Sequence, residues 1–102
     1  MTLGLVVGSA LHGSPLARDG RRFEREGVGL LEADGVVILP RHGRDTFVLP
    51  HRVDHAANLA ALVAAGVDRI LSISSVGSLR TDWAVGTCVL TDDFYEIGRA
   101  HV

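Results

Sequence analysis

Two short stretches hold side chains suited to gripping an anion: Leu39-Pro40-Arg41-His42-Gly43 and Ser72-Ile73-Ser74-Ser75-Val76-Gly77-Ser78-Leu79. A guanidinium and an imidazole bind phosphate oxygens through charge-assisted hydrogen bonds. Serine hydroxyls and the amides of a glycine-bearing turn complete such a cradle. The same residues also suit blander roles. Arg41 and His42 could be an ordinary surface-loop pair, and Ser74 and Ser75 could cap strand ends by bonding to backbone. Position favours the chemical reading. Each stretch directly follows an apolar run, which predicts a phosphate pocket at the strand ends of an α/β sheet.

The elements that must carry these residues can be read from patterning. Leu3 to Val7 is an apolar run ending at Gly8-Ser9, which predicts a first strand and a tight turn. Residues 10 to 20 are rich in Gly, Ser and Pro and predict a loop. Phe23 to Leu31 alternates roughly between charged and apolar positions, as in one partly exposed strand. Asp34-Gly35 is a hairpin signal, and Val36 to Leu39 follows as a buried strand. After a loop over Pro40 to Pro50, Asp54 is a candidate N-cap for a helix presenting Leu59, Leu62 and Val63 on one face, with Gly66 as its stop. Ile70 to Ser74 predicts a further strand. Cys88 to Thr91, with Cys88 as a small core residue, predicts another beyond a loop from Gly77 to Gly86. The order β-β-β-α-β-β implies a mixed sheet short of the helices needed to cover two buried faces. Trp83 is expected to cover strand ends or to pack against helices that this stretch does not supply. Apolar strand faces left bare in this way predict poor solubility.

Composition narrows the class. A chain of 102 residues is one small domain. A formal charge of −2, with no basic stripe, argues against nucleic acid or a membrane surface as partner. One cysteine allows no internal disulfide, and the start carries no basic signal segment, so the cytoplasm is the expected compartment. Arg18, Arg21, Arg22 and Arg25 interleave with acidic residues as a solvated face. His51 and His55 have helical ligand spacing, but no third ligand accompanies them, so no metal is expected.

An early Gly-Ser turn, the run Pro40-Arg41-His42-Gly43, Pro50-His51-Arg52-Val53 with Asn58 beyond it, and a strand entering Ser75-Val76-Gly77-Ser78-Leu79-Arg80 occur here in consistent order. That set resembles the purine nucleoside phosphorylase superfamily, and most closely its 5′-methylthioadenosine phosphorylase branch. The resemblance runs from Leu3 to about Phe94 and implies the amino-terminal part of that family's domain. It implies cleavage of a purine N-glycosidic bond by phosphate, giving the base and a ribose 1-phosphate derivative, in purine and methionine salvage. It implies that Ser9, Arg41, His42 and Ser74 bind phosphate, while Ser75, Val76 and Gly77 pass the ribose and base. No cofactor is implied beyond inorganic phosphate as co-substrate. A homo-oligomer, trimer or hexamer, is implied for the parent enzyme. No residue of this stretch matches the family's catalytic acid or base-recognising position, so the isolated chain is expected to be inactive. There are departures: Thr46 stands where the family commonly has His, Asp54-His55-Ala56 where the branch usually shows Asn-Tyr-Arg, and the early turn has fewer glycines.

Residues 96 to 102 do not resemble the family. A codon choice for Glu96-Ile97-Gly98-Arg99-Ala100-His101-Val102 contains the opening of a common DNA sequencing adapter, so residues 1–95 are expected to form the partial domain and 96–102 a non-native tail. The competing class is a non-catalytic α/β module binding a nucleotide or an anion through the Gly8 to Gly13 turn. That turn lacks the dinucleotide fingerprint spacing.

Overall fold

The computed structural model describes residues 1–8 and 14–93. Ser9 and His12, and the expected tail at 96–102, lie outside the described residues. The elements are β1 (Leu3–Val7), α1 (Pro15–Asp19), β2 (Arg21–Arg25), β3 (Val28–Ala33), β4 (Val36–Pro40), α2 (His55–Ala64) and β5 (Arg69–Ile73), with a 3-10 turn at Pro50–Arg52 before α2. The strands form one mixed sheet in the order β2-β3-β4-β1-β5. β1 runs parallel to both β4 and β5, while β2, β3 and β4 form an antiparallel meander. The fold is α/β, as expected.

Both hairpin turns have the mirror-image geometry that matches strand twist. Glu26 and Gly27 have φ of 53° and 75°, and Asp34 and Gly35 have 50° and 78°. The Asp34-Gly35 turn was legible. The Glu26-Gly27 turn splits the single strand expected over Phe23 to Leu31 into β2 and β3. Glutamate is a poor advertisement for a left-handed position, so the break does not stand out in the sequence. The loop expected over 10–20 contains α1, a single short turn entered through Pro15, whose fixed φ suits the first helical position.

The core lies where α2 covers β2, β3 and β4. Leu30, Val37, Leu39, Ala61 and Leu62 are all buried in one cluster, with Val6, Phe23 and Val67 packed against it. Strand alternation sends Leu31 and Ile38 to the opposite face, where both are also buried. α2 starts as expected: the Asp54 carboxylate accepts from the Ala57 amide at 3.0 Å. Gly66 follows the helix at a φ of 86°, open to a left-handed stop. Its buried face matches the expected one only in part. Leu62 is buried as expected, together with Ala61, while Leu59 and Val63 are exposed, because the helix is rotated to set its Ala61–Leu62 side in the core cluster. The turn after the helix packs close on β1: a Cβ on Gly4 would meet Val67 at 2.8 Å.

The expected strand at Cys88 to Thr91 is not formed, and Cys88 is exposed, not a core residue. Residues 74 to 93 run in irregular, exposed conformation with no strand partner to organise them. Trp83 is exposed, and among the described residues the Arg80 guanidinium of its own segment lies 5.0 Å from its ring centre.

Candidate phosphate-binding site

Three neighbouring parallel strands end at the same edge of the sheet. In register, Val7 at the end of β1 pairs with Pro40 on one side and Ile73 on the other. Gly8, Arg41 and Ser74 are therefore the first residues past the three strand ends, side by side across the carboxyl edge. At ordinary strand spacing, the Arg41 and Ser74 backbones are about 10 Å apart, with Gly8 between them.

The first of these junctions is tight. The Arg41 amide donates to the Val7 carbonyl at 2.8 Å, extending the β4–β1 ladder. The Arg41 guanidinium then lies over Gly8, where a Cβ would sit 3.1 Å from Nη2. Beyond it the chain turns sharply. The Gly43 amide donates to the Pro40 carbonyl at 3.0 Å, and Gly43 adopts a φ of 97°. A Cβ there would overlap the Thr46 carbonyl oxygen, so the position needs glycine.

His42 is held at two points. Its carbonyl accepts from the Val48 amide at 2.6 Å, and its Nδ1 lies 3.0 Å from the Val48 carbonyl oxygen. A carbonyl only accepts, so Nδ1 carries the proton and Nε2 is an acceptor. The Arg41 Nε and Nη2 both point to that Nε2 at 3.4 Å. Phe47 stacks on the ring at 5.2 Å between centres. Arg41 and His42 thus form one unit, a guanidinium and an imidazole nitrogen at the strand edge.

The second expected element is present but looser. Ser74, Ser75, Val76 and Gly77 leave β5 in exposed chain. Among the described residues, no hydrogen bond joins them to Arg41 or His42. The structure brings Ser74 to the same edge as Arg41, and Ser75 to Gly77 follow it in exposed, irregular chain. Ser9, the fourth expected phosphate ligand, follows Gly8 directly in the chain.

One side chain that the sequence did not single out is built into this region. Arg44 exposes only 9% of its side chain. Its Nη1 donates to the carbonyls of Phe23 at 2.8 Å and Leu30 at 3.0 Å. Its Nε and Nη2 donate to Asp45 at 3.2 and 3.1 Å, and its guanidinium presses on Gly29, where a Cβ would meet it at 2.9 Å. Asp45 in turn accepts from Arg22. Hydrogen bonds from Arg22 and then Arg44 hold the Asp45 carboxyl below its ordinary range. A cleft of about 350 Å³ opens between this loop, the β2–β3 turn and the start of α2, lined in part by Arg41, Arg44, Arg52 and Asn58. His51 lies in the 3-10 turn and His55 begins α2, so the two histidines do not share one helical face. Among the described residues, no group of three or more His, Cys, Asp or Glu is placed to hold a metal ion. No helix among them is long and apolar enough to cross a membrane.

The sequence is 40% identical over 75 residues to the S-methyl-5'-thioadenosine phosphorylase of Thermofilum pendens, covering 74% of this chain and 29% of that protein. It is 33% identical over 108 aligned positions to the enzyme of the same name from Thermococcus kodakarensis, covering 95% of this chain and 41% of that one. It is 46% identical over 68 residues to an uncharacterized 25.8 kDa protein of Rhodospirillum rubrum, covering 67% and 29%. The chain therefore spans well under half the length of these relatives. The family model described as the phosphorylase superfamily matches residues 3–101. With that match across nearly all of its length, the chain belongs to the phosphorylase superfamily.

Proposed function

We propose that this chain carries the phosphate-binding portion of a purine nucleoside phosphorylase of the methylthioadenosine type. The observation that supports this most is the shared edge: Gly8, Arg41 and Ser74 stand at the ends of three adjacent parallel strands, where ligands bind in open α/β sheets. Arg41 supplies the permanent positive charge. With Nδ1–H committed to Val48, His42 meets the anion through Nε2, which exchanges its two long Arg41 contacts for a P–OH proton of the phosphate. Ser9 and Ser74 contribute hydroxyls, and Ser75, Val76 and Gly77 pass the ribose and base.

In the reaction, phosphate held beneath the sugar stabilises positive charge developing at C1′ as the glycosidic bond breaks, and then attacks that carbon. This is catalysis by positioning and electrostatics, with no protein nucleophile. An acid on the base side would assist departure of the purine. Purine nucleoside and phosphate are the proposed partners, the cytoplasm the proposed compartment, and a homo-oligomer the proposed state of the parent enzyme.

The test is titration of the chain with inorganic phosphate, read by amide resonances. Shifts at Gly8, Arg41, His42 and Ser74 with a common saturation curve are expected. Saturable binding of a dinucleotide in place of phosphate would support the non-catalytic module and overturn this reading. Phosphorolysis of methylthioadenosine by the 102-residue chain is expected to be undetectable.

A further inference from the structure

We propose that Arg44 is a positioning residue for the anion site: it clasps the Arg41–Val48 loop to the β2–β3 hairpin and so sets where His42 presents Nε2. The inference rests on the phosphate reading above but concerns a different residue, one that has no place in the proposed ligand set.

Three observations carry it. First, the Arg44 side chain is almost fully buried although the loop around it is open to solvent. A buried guanidinium is costly unless its donors are met. Here they are met by two main-chain carbonyls on different strands, Phe23 of β2 and Leu30 of β3, and by Asp45, with Glu24 3.5 Å away. Second, the hairpin has a space shaped for it. Gly29 of β3 has no side chain where the guanidinium rests, and a Cβ would come within 2.9 Å of its central carbon. Third, a neighbouring tie belongs to the same cluster: Arg22 of β2 donates to Asp45 of the loop, and that carboxylate is itself bonded to Arg44.

The mechanical consequence follows from chain length. Arg44 is two residues past His42 and four before Val48, inside the loop closed by the two His42–Val48 hydrogen bonds. Anchoring the middle of that loop fixes the distance between its ends. Releasing it frees Val48 to leave Nδ1, and the imidazole then loses both its tautomer and its aim. Lysine cannot replace arginine here, because a single ammonium cannot span two carbonyls and a carboxylate in one plane.

Two substitutions release the clasp by different routes. Arg44→Lys keeps the charge and removes the fork. Gly29→Ala keeps Arg44 and fills the space it occupies, at a backbone position without positive φ. The primary readout is the ring ¹⁵N signals of His42, which report which nitrogen carries the proton. The second readout is phosphate affinity. In both variants the Nδ1–H form is expected to give way to a mixture, and phosphate affinity to fall roughly tenfold, while α2 and β1 amide signals stay in place. A merely structural role would alter melting without touching the His42 tautomer. Wild-type His42 signals in both variants would overturn the proposal, whatever the affinity does. If the wild-type chain binds no phosphate yet its His42 signals respond to both variants, the clasp stands and the phosphate reading fails.

Discussion

At the residue scale, the site is a matter of which donor is committed to which acceptor. Arg41 makes two long contacts, from Nε and Nη2, to His42 Nε2 and otherwise lies over Gly8, which leaves further guanidinium N–H groups for an anion. Hydrogen bonds to charged groups contribute about 1.5–3 kcal/mol. Arg41→Met is therefore expected to weaken phosphate binding by roughly tenfold to a hundredfold, read by the same titration, with little change in melting temperature. Asp45 belongs to the support, not to the ligand set. Its carboxyl titrates below the ordinary value because Arg22 and Arg44 bond to its charged form. The stability it adds is present above the ordinary carboxylate range and is lost as pH falls through the lowered value. Thermal melts of wild type are expected to weaken on acidification below about pH 4, and Asp45→Asn to remove part of that dependence. An Asp45→Asn chain with the same acid profile as wild type would contradict this account. Glu32, held low by its hydrogen bond and charge pairing with Arg21 across β2 and β3, adds a second contribution of the same sign.

At the element scale, α2 and the hairpins fold for local reasons and then deliver the loop. The Asp54 cap satisfies an amide that the first turn leaves unpaired. Asp54→Ala is expected to cost about 1 kcal/mol, measured by denaturant unfolding. Leu62, fully buried between α2 and the sheet, should cost more: Leu62→Ala about 2–5 kcal/mol. Gly43→Ala is a sharper test of the loop. Its φ of 97° and the Thr46 carbonyl leave no place for a methyl group, so the turn must re-form and the His42–Val48 pair must open. Asp34-Gly35 was recognisable as a turn because both residue types tolerate positive φ. Glu26-Gly27 makes the same turn with only one favourable residue, and there the antiparallel pairing of β2 with β3 imposes the conformation.

At the scale of the whole molecule, the sheet is half clothed. α2 covers the β2-β3-β4 side, while Ile70, Leu71 and Ile73 of β5 remain about half exposed and Val76, Leu79, Val85 and Leu90 are almost wholly so. Parallel strands normally have both faces covered, and the relatives this chain matches are more than twice its length. Concentration-dependent association is expected in size-exclusion chromatography, and Leu71→Lys is expected to reduce it. A monodisperse wild-type monomer at high concentration would refute that expectation.

What the linear chain determined by itself was the set of local decisions. Strand-forming apolar runs, the Asp54 cap, the Gly66 stop and the Asp34-Gly35 turn depend on neighbours a few residues away, and so does the pairing of Arg41 with His42 at a strand end. Tertiary structure decided the rest. It kept Leu62 on the buried side of α2 but set Ala61 beside it in place of Leu59 and Val63, because helix rotation answers to the shape of the sheet beneath it. It left Cys88 exposed and the stretch around it without a strand, because a strand exists only when another pairs with it. It also put Arg44 in a buried berth formed by two distant carbonyls and a glycine, a partnership between residues up to 21 positions apart that no short window of sequence contains.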